Sequence, residues 1–295
     1  MLDSLRQKME REAEMAERFG RAHSLFQEGE ALGKKGDRRG AEVKFGLARQ
    51  TVLSVEEDVF YEPGMREYFL KLSRDIAALT EGSALPFASG SQIALAGNGQ
   101  VQQFIKYFRD KGRDSVRVAL SRLSRYEQMM RKIFREEAVP EDLIYIGLVE
   151  SAYNPYAQSV AGAAGIWQFV RGTGRRYGLK QAGAIDERND PEKSTRAAAR
   201  YLRDLYEMFG DWHLALAAYN AGEYRVLKVI EKTGINDFWR LSGRGLLPQE
   251  TINYVLAVLA AIAIGKQGIE RNHARRAART NSTQTAPGVG REGDL

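Results

Sequence analysis

The thirty residues VPEDLIYIGLVESAYNPYAQSVAGAAGIWQ, Val139 to Gln168, constrain the fold more than any other stretch. Pro140 suits the first position of a helix, and Glu141 and Asp142 suit its positive end. Leu143, Ile146 and Gly147 lie three to seven residues before Glu150, offsets that share one helical face. The predicted helix therefore carries a carboxylate at the end of an apolar stripe, which other elements must cover. Asn154-Pro155 stops it, because the residue before a proline disfavours helix. Gly162 and Gly165, set among alanines, let backbone approach backbone or a ligand closely. A carboxyl group in apolar surroundings has a raised pKa and can stay protonated near neutral pH, as a general acid requires. The plainer alternative is a solvated or capping glutamate, the usual fate of a helix-end acid.

The chain has 295 residues, room for one large domain or two modest ones, and 43% of them are hydrophobic. It has no cysteine, which excludes disulfides, thiolate zinc sites and a Cys nucleophile. His23, His213 and His273 are the three histidines and share no ligand spacing, so neither metal nor cofactor is expected. The net charge of +6 fits nucleic acid, an anionic polymer or a membrane surface. Much of the excess lies at Arg271, Arg275, Arg276 and Arg279, which read as a solvated basic tail; nucleic acid is not expected. The longest apolar run, Tyr254 to Ile264, falls short of the ~20 residues that cross a bilayer. It reads as a buried helix, and no transmembrane span is expected.

Helical periodicity recurs along the whole chain, and no sustained strand-like alternation appears. The fold class is therefore mainly all-α. Residues 1–81 form an N-terminal helical region. It holds a hairpin turning at Lys34-Lys35-Gly36-Asp37, with Ala41, Val43, Phe45, Ala48 and Val52 on the second helix. The pair is similar to one tetratricopeptide hairpin, read either as a docking module or as an appendage packed on the rest. Residues 55–80 continue as helix, with Met65, Tyr68, Phe69, Leu72 and Ile76 on one face. Residues 82–99, rich in Gly, Ser and Ala, are expected to be a linker. A helix follows over about 114–137, striped by Val118, Leu123, Tyr126, Met129, Met130 and Ile133. Gly172 to Leu179 has neither the spacing nor the preceding strand of a phosphate loop. Asp190-Pro191 opens another helix, which Gly210 ends. Trp212 to Ala221 is almost wholly apolar or small, so Tyr219 and Asn220 either face a cleft or find bonds in the core. Residues 100–270 make the second domain, and 271–295 are expected to be a disordered basic tail.

Glu150-Ser151, Asn154-Pro155, Ser159, Gly162-Ala163-Ala164-Gly165-Ile166-Trp167-Gln168, Thr173 and Ala217-Ala218-Tyr219-Asn220-Ala221-Gly222 occur in order. Together they resemble the catalytic domain of soluble-lytic-transglycosylase-type enzymes, most closely the membrane-bound lytic murein transglycosylase D group. The resemblance covers about residues 97–255. It implies a lysozyme-like helical domain that cleaves peptidoglycan glycan strands between N-acetylmuramic acid and N-acetylglucosamine. Glu150 would be the sole acid and then base, with a 1,6-anhydromuramic acid end as product. Ser159, Gln168, Tyr219 and Asn220 match substrate-binding positions, the Tyr219 hydroxyl within reach of Glu150. Tyr153 and Trp167 can stack on sugars or belong to the core. Val170 and Leu256 depart from the family's usual Met and Pro. Two alternatives stay open: a muramidase-type hydrolase of the same fold, and a non-catalytic peptidoglycan-binding adaptor. The implied location is the periplasm or cell envelope, with envelope proteins as further partners of the N-terminal helices. The charged start, MLDSLRQKMEREAEM, has no export-signal core, so a start upstream of Met1 is expected.

Overall fold

A computed structural model describes residues 2–62, 64–80, 93 and 99–284; the side chains of 2–10, 12, 80 and 268–284 lie outside that description. The chain begins with a helical hairpin, α1 (Leu2–Lys34) and α2 (Arg38–Leu53). Gly36 supplies the left-handed residue of its turn, and Asp37 caps α2 by accepting from the Gly40 amide at 2.9 Å. The two helices meet closely, since a Cβ on Gly29 would fall 2.5 Å from the Phe45 ring. Of the second-helix residues singled out in the sequence, Ala41, Phe45, Ala48 and Val52 are buried and Val43 is 57% exposed. The helix predicted over 55–80 is two helices, α3 (Glu57–Phe60) and α4 (Met65–Thr80), because the chain turns between Tyr61 and Gly64.

The expected linker 82–99 lies outside the described residues except for Ile93, which is buried, and Gly99. Then come α5 (Gly99–Arg109), α6 (Arg113–Leu123) and α7 (Glu127–Glu136). A single helix was expected over 114–137. Three-residue turns at Arg125 and Tyr126 break it, and the Ser124 hydroxyl bonds back to the Ser121 carbonyl. The break resets the phase of the stripe: Val116 and Ala119 face inward, and Val118 is exposed.

A 3₁₀ turn, Glu141–Tyr145, leads into α8 (Ile146–Ser151) and α9 (Arg171–Arg176). Pro140 stands just before that turn as its cap, one step earlier than expected. A ribbon of β1 (Gln181–Ala182) and β2 (Ile185–Asp186) and a 3₁₀ turn at Glu187–Asn189 precede α10 (Pro191–Phe209). Asp190 caps α10 through the Glu192 and Lys193 amides, and Gly210 ends it at φ +66°, as the sequence indicated. The remainder is α11 (Trp212–Ala221), α12 (Glu223–Thr233), α13 (Phe238–Gly243) and α14 (Gln249–Gln284).

The architecture is nearly all helical. α10 packs on α4, α7 and α11, while α14 packs on α5, α8 and α11. One apolar cluster runs from Ala22 to Ile264, so α1–α4 share a core with the remainder. α14 passes straight through Leu256 and continues to Gln284, where the composition from about Asn272 had suggested disorder. Residues 285–295 lie outside the described residues.

Candidate active site

Glu150 sits in the last turn of α8, and α8 lies against α14. Three features bring the helix to an end there. Ala152 and Tyr153 both take left-handed backbone conformations, at φ 50° and 56°. Non-glycine residues adopt these at a cost of about 1 kcal/mol each. The turned chain folds the Tyr153 ring back onto Gly147, where a Cβ would stand 2.7 Å from the ring. The Tyr153 hydroxyl then donates to the Ile144 carbonyl at 3.2 Å, and the Ser151 hydroxyl to the Ile166 carbonyl at 2.9 Å. The strain is thus offset by packing and by bonds that fix the end of α8 to the loop beyond it.

Residues 154–169 form that loop. Gly165 has φ +83°, and a Cβ there would run into the Arg188 carbonyl. Arg188 is buried and reaches up to the loop carbonyls of Gly162 and Phe169, at 2.7 and 2.9 Å, while Asp186 holds its other edge. Nothing in the sequence had singled out Arg188. Gln168, at φ 48°, spends its amide N–H groups on the Gly165 and Ala157 carbonyls. The Ser159 hydroxyl accepts from the Ala163 amide at 3.0 Å, within its own loop. Both side chains shape this loop. Tyr153 and Trp167 are fully buried: Trp167 stacks on Phe134 and donates to the Thr195 hydroxyl. They belong to the core, and stacking on sugar is ruled out for both.

Tyr254 of α14 donates its hydroxyl to Glu150 Oε1 at 2.6 Å. Tyr219 had been expected to reach the glutamate, but its hydroxyl donates to the Trp167 carbonyl at 2.8 Å. The Tyr219 ring still stands near enough for Glu150 to raise its pKa, behind the larger effect of burial. One clue to Tyr254 was available in the sequence: a lone phenol opening the apolar run 254–264, which must find a bond if buried. Burial pushes the Glu150 carboxyl up to about 7, and the Tyr254 hydrogen bond pulls the other way. No neighbouring carboxylate or cation figures among these influences. Among the described residues, the carboxyl at this site is that of Glu150, raised towards neutrality and oriented by a phenol that remains protonated. Such a group can give a proton and take one back.

Asn220, next to Tyr219, is exposed and lines a cavity of about 650 Å³ with Val226, Leu246, Leu247, Pro248 and Thr251. Glu150 is not part of that wall. Among the described residues, no group of three or more His, Asp or Glu could hold a metal ion.

Residues 128–242 match the family described as Transglycosylase SLT domain. Over 131 residues the chain is 47% identical to membrane-bound lytic murein transglycosylase D of Escherichia coli (strain K12), covering 43% of this chain and 28% of that protein. Over 126 residues it is 34% identical to peptidoglycan transglycosylase gp16 of Escherichia phage T7, covering 41% of this chain and 10% of that one. The solved 70 kDa soluble lytic transglycosylase from Escherichia coli aligns at 18% identity and a TM-score of 0.43, over 82% of this chain and 45% of that chain. The chain spans less than a third of the length of either curated relative.

Proposed function

We propose, from the match of residues 128–242 to the Transglycosylase SLT domain family, that this chain is a peptidoglycan lytic transglycosylase with Glu150 as its single acid and base. The observation that carries the reading is the half-buried Glu150 carboxyl, raised to about 7 and bonded to Tyr254. Glycosidases that hydrolyse with water commonly pair two carboxylates across the scissile bond. Here one carboxyl serves both steps. Glu150 gives its proton to the bridging oxygen between N-acetylmuramic acid and N-acetylglucosamine as the bond to the anomeric carbon breaks. The positive charge is spread over the ring oxygen and anomeric carbon. Glu150, now a carboxylate, takes the proton from the muramic acid 6-hydroxyl as that oxygen closes on the anomeric carbon. The products are a 1,6-anhydro end and a free 4-hydroxyl, and Glu150 is again protonated.

Tyr254 orients the carboxyl throughout, and Tyr219 helps to cover it. Asn220 faces the cavity beside the site and is the side chain best placed to meet a sugar or its peptide. Gln168 and Ser159 act on substrate through the loop they shape. The reaction implies a cell-envelope location. Among the described residues, no helix is long and apolar enough to cross a membrane. An envelope partner of the N-terminal helices would meet the exposed side of α2, where Val43 and Leu47 stand.

Digestion of purified murein followed by mass spectrometry tests the reading. Anhydromuramic ends are expected, lost in Glu150→Gln. Reducing ends would identify a hydrolase, and unchanged murein a non-catalytic adaptor.

A further inference from the structure

A nearly inaccessible glutamate lies beyond the proposed reaction. Glu223 opens α12 directly after Gly222 and is 1% exposed. One carboxylate oxygen, Oε1, accepts from Arg66 Nε at 2.6 Å and from Arg176 at 3.2 Å. The other, Oε2, accepts from the Tyr201 hydroxyl at 2.8 Å. Arg66 belongs to α4, outside the matched domain, and is itself buried. Its remaining donors reach the Tyr177 hydroxyl at 2.7 Å and Asp204 at 3.4 Å. One guanidinium therefore joins the start of α12, the segment after α9 and the middle of α10. Arg176, the other cation on Glu223, is more exposed, and its guanidinium lies 4.6 Å over the ring of Tyr61, also from the N-terminal region. The Tyr61 hydroxyl in turn sits 3.4 Å from where a Cβ on Gly222 would stand.

This cluster reaches the site by a short route. Glu223 follows Tyr219 and Asn220 by four and three residues. Its partner Tyr201 packs its ring 5.3 Å from the Tyr219 ring, and Tyr219 bonds the Trp167 carbonyl beside Gln168. We propose that Arg66 is a positioning residue: by fixing Glu223 it fixes the end of α11, and with it Tyr219 and Asn220. The N-terminal helices are then a brace for the active site and not a detachable module. The consequence for turnover rests on the transglycosylase reading; the placement of α11 does not.

The test uses the full chain with Arg66→Lys, which keeps the charge but cannot span three partners, and Glu223→Gln, which removes the charge at nearly constant shape. Folded fraction is measured by circular dichroism, and kcat and KM on soluble murein fragments. Amide hydrogen exchange is followed over 217–224, with the α7 amides as control. Each variant is expected to lose about tenfold in kcat per folded molecule with KM within about twofold, the pattern of a misplaced site. Exchange at 217–224 should quicken by about tenfold while α7 is unchanged. If only one variant folds, that one decides. Wild-type kcat in a folded variant, a change in KM alone, or unchanged exchange at 217–224 overturns the proposal. If the wild type cleaves no murein, the transglycosylase reading fails, and hydrogen exchange alone decides the role of Arg66.

Discussion

Half-buried Glu150 and buried Glu223 are shifted in opposite directions. Among the described residues, the polar partner of Glu150 is the neutral Tyr254 hydroxyl, so desolvation wins and its pKa rises to about 7. Glu223 feels the same upward pull of burial, but Arg66 and Arg176 overcome it and hold the carboxyl below its ordinary range. A buried charge persists only where opposite charges and hydrogen bonds replace water. The difference between a structural carboxylate and a reactive carboxylic acid is thus set by two guanidiniums. The first is available to trade a proton near neutrality, and the second is locked as an anion.

The contrast can be broken at several points. Glu150→Gln should cost about a thousandfold or more in murein cleavage, since both proton transfers go through that carboxyl. Cleavage assays on equal amounts of folded protein check it, and residual activity within tenfold of wild type would contradict the assignment. Stability should separate the two acids next. Glu150 has a folded pKa above its unfolded one, so its stabilising effect is complete below pH 4.5 and lost as pH rises through about 7. Glu150→Gln should therefore gain on wild type by about 3 kcal/mol between those pH values. Glu223 has a depressed folded pKa, so its contribution is present above pH 4.5 and fades as pH falls. Glu223→Gln should cost about 3 kcal/mol at pH 7, because Arg66 is left short of its partner, and less in acid. Denaturant melts across pH read both trends, and parallel curves would refute them.

Smaller effects sharpen the account. Tyr254→Phe removes the hydrogen bond that favours the ionised form of Glu150. The falling limb of the kcat/KM profile should move to higher pH, with kcat down about tenfold from lost orientation. An unshifted limb would mean that Tyr254 does not touch the reacting acid. Ser159→Ala should remove about 1 kcal/mol through the lost bond to the Ala163 amide. A larger loss of activity than of stability would instead place that hydroxyl on substrate.

Much of this was legible in the chain. The cap at Asp190, the stop at Gly210 and the hairpin at Gly36 are local signals, and the structure follows them because local chemistry decides there. The apolar stripe before Glu150 foretold a buried helix face because offsets of three, four and seven share a face, and Leu143, Ile146 and Gly147 are buried. Less legible was whatever depends on distant chain. Tyr254 meets Glu150 across 104 residues, and Arg66 meets Glu223 across 157. Tyr219 was the nearer guess for the glutamate's partner by motif, but Tyr254 of α14 makes that bond and Tyr219 donates to the Trp167 carbonyl. Trp167 and Tyr153 look like sugar platforms in sequence; only packing reveals that both are walled in. The break after Leu123 lay hidden because Ser124, Arg125 and Tyr126 carry no proline or glycine. In α14, composition misled: Ala- and Arg-rich sequence favours helix as readily as it suggests a solvated tail.

The most direct test is to titrate the two carboxyls by carbon NMR on glutamate-labelled protein, assigning Glu150 and Glu223 by their Gln variants. The account predicts that Glu150 titrates near 7 while Glu223 stays ionised well below the ordinary range of a glutamate. Glu150 titrating at the ordinary glutamate value of 4.5 would mean that its site is wet and its proton gone at neutral pH, and the single acid–base mechanism would not stand.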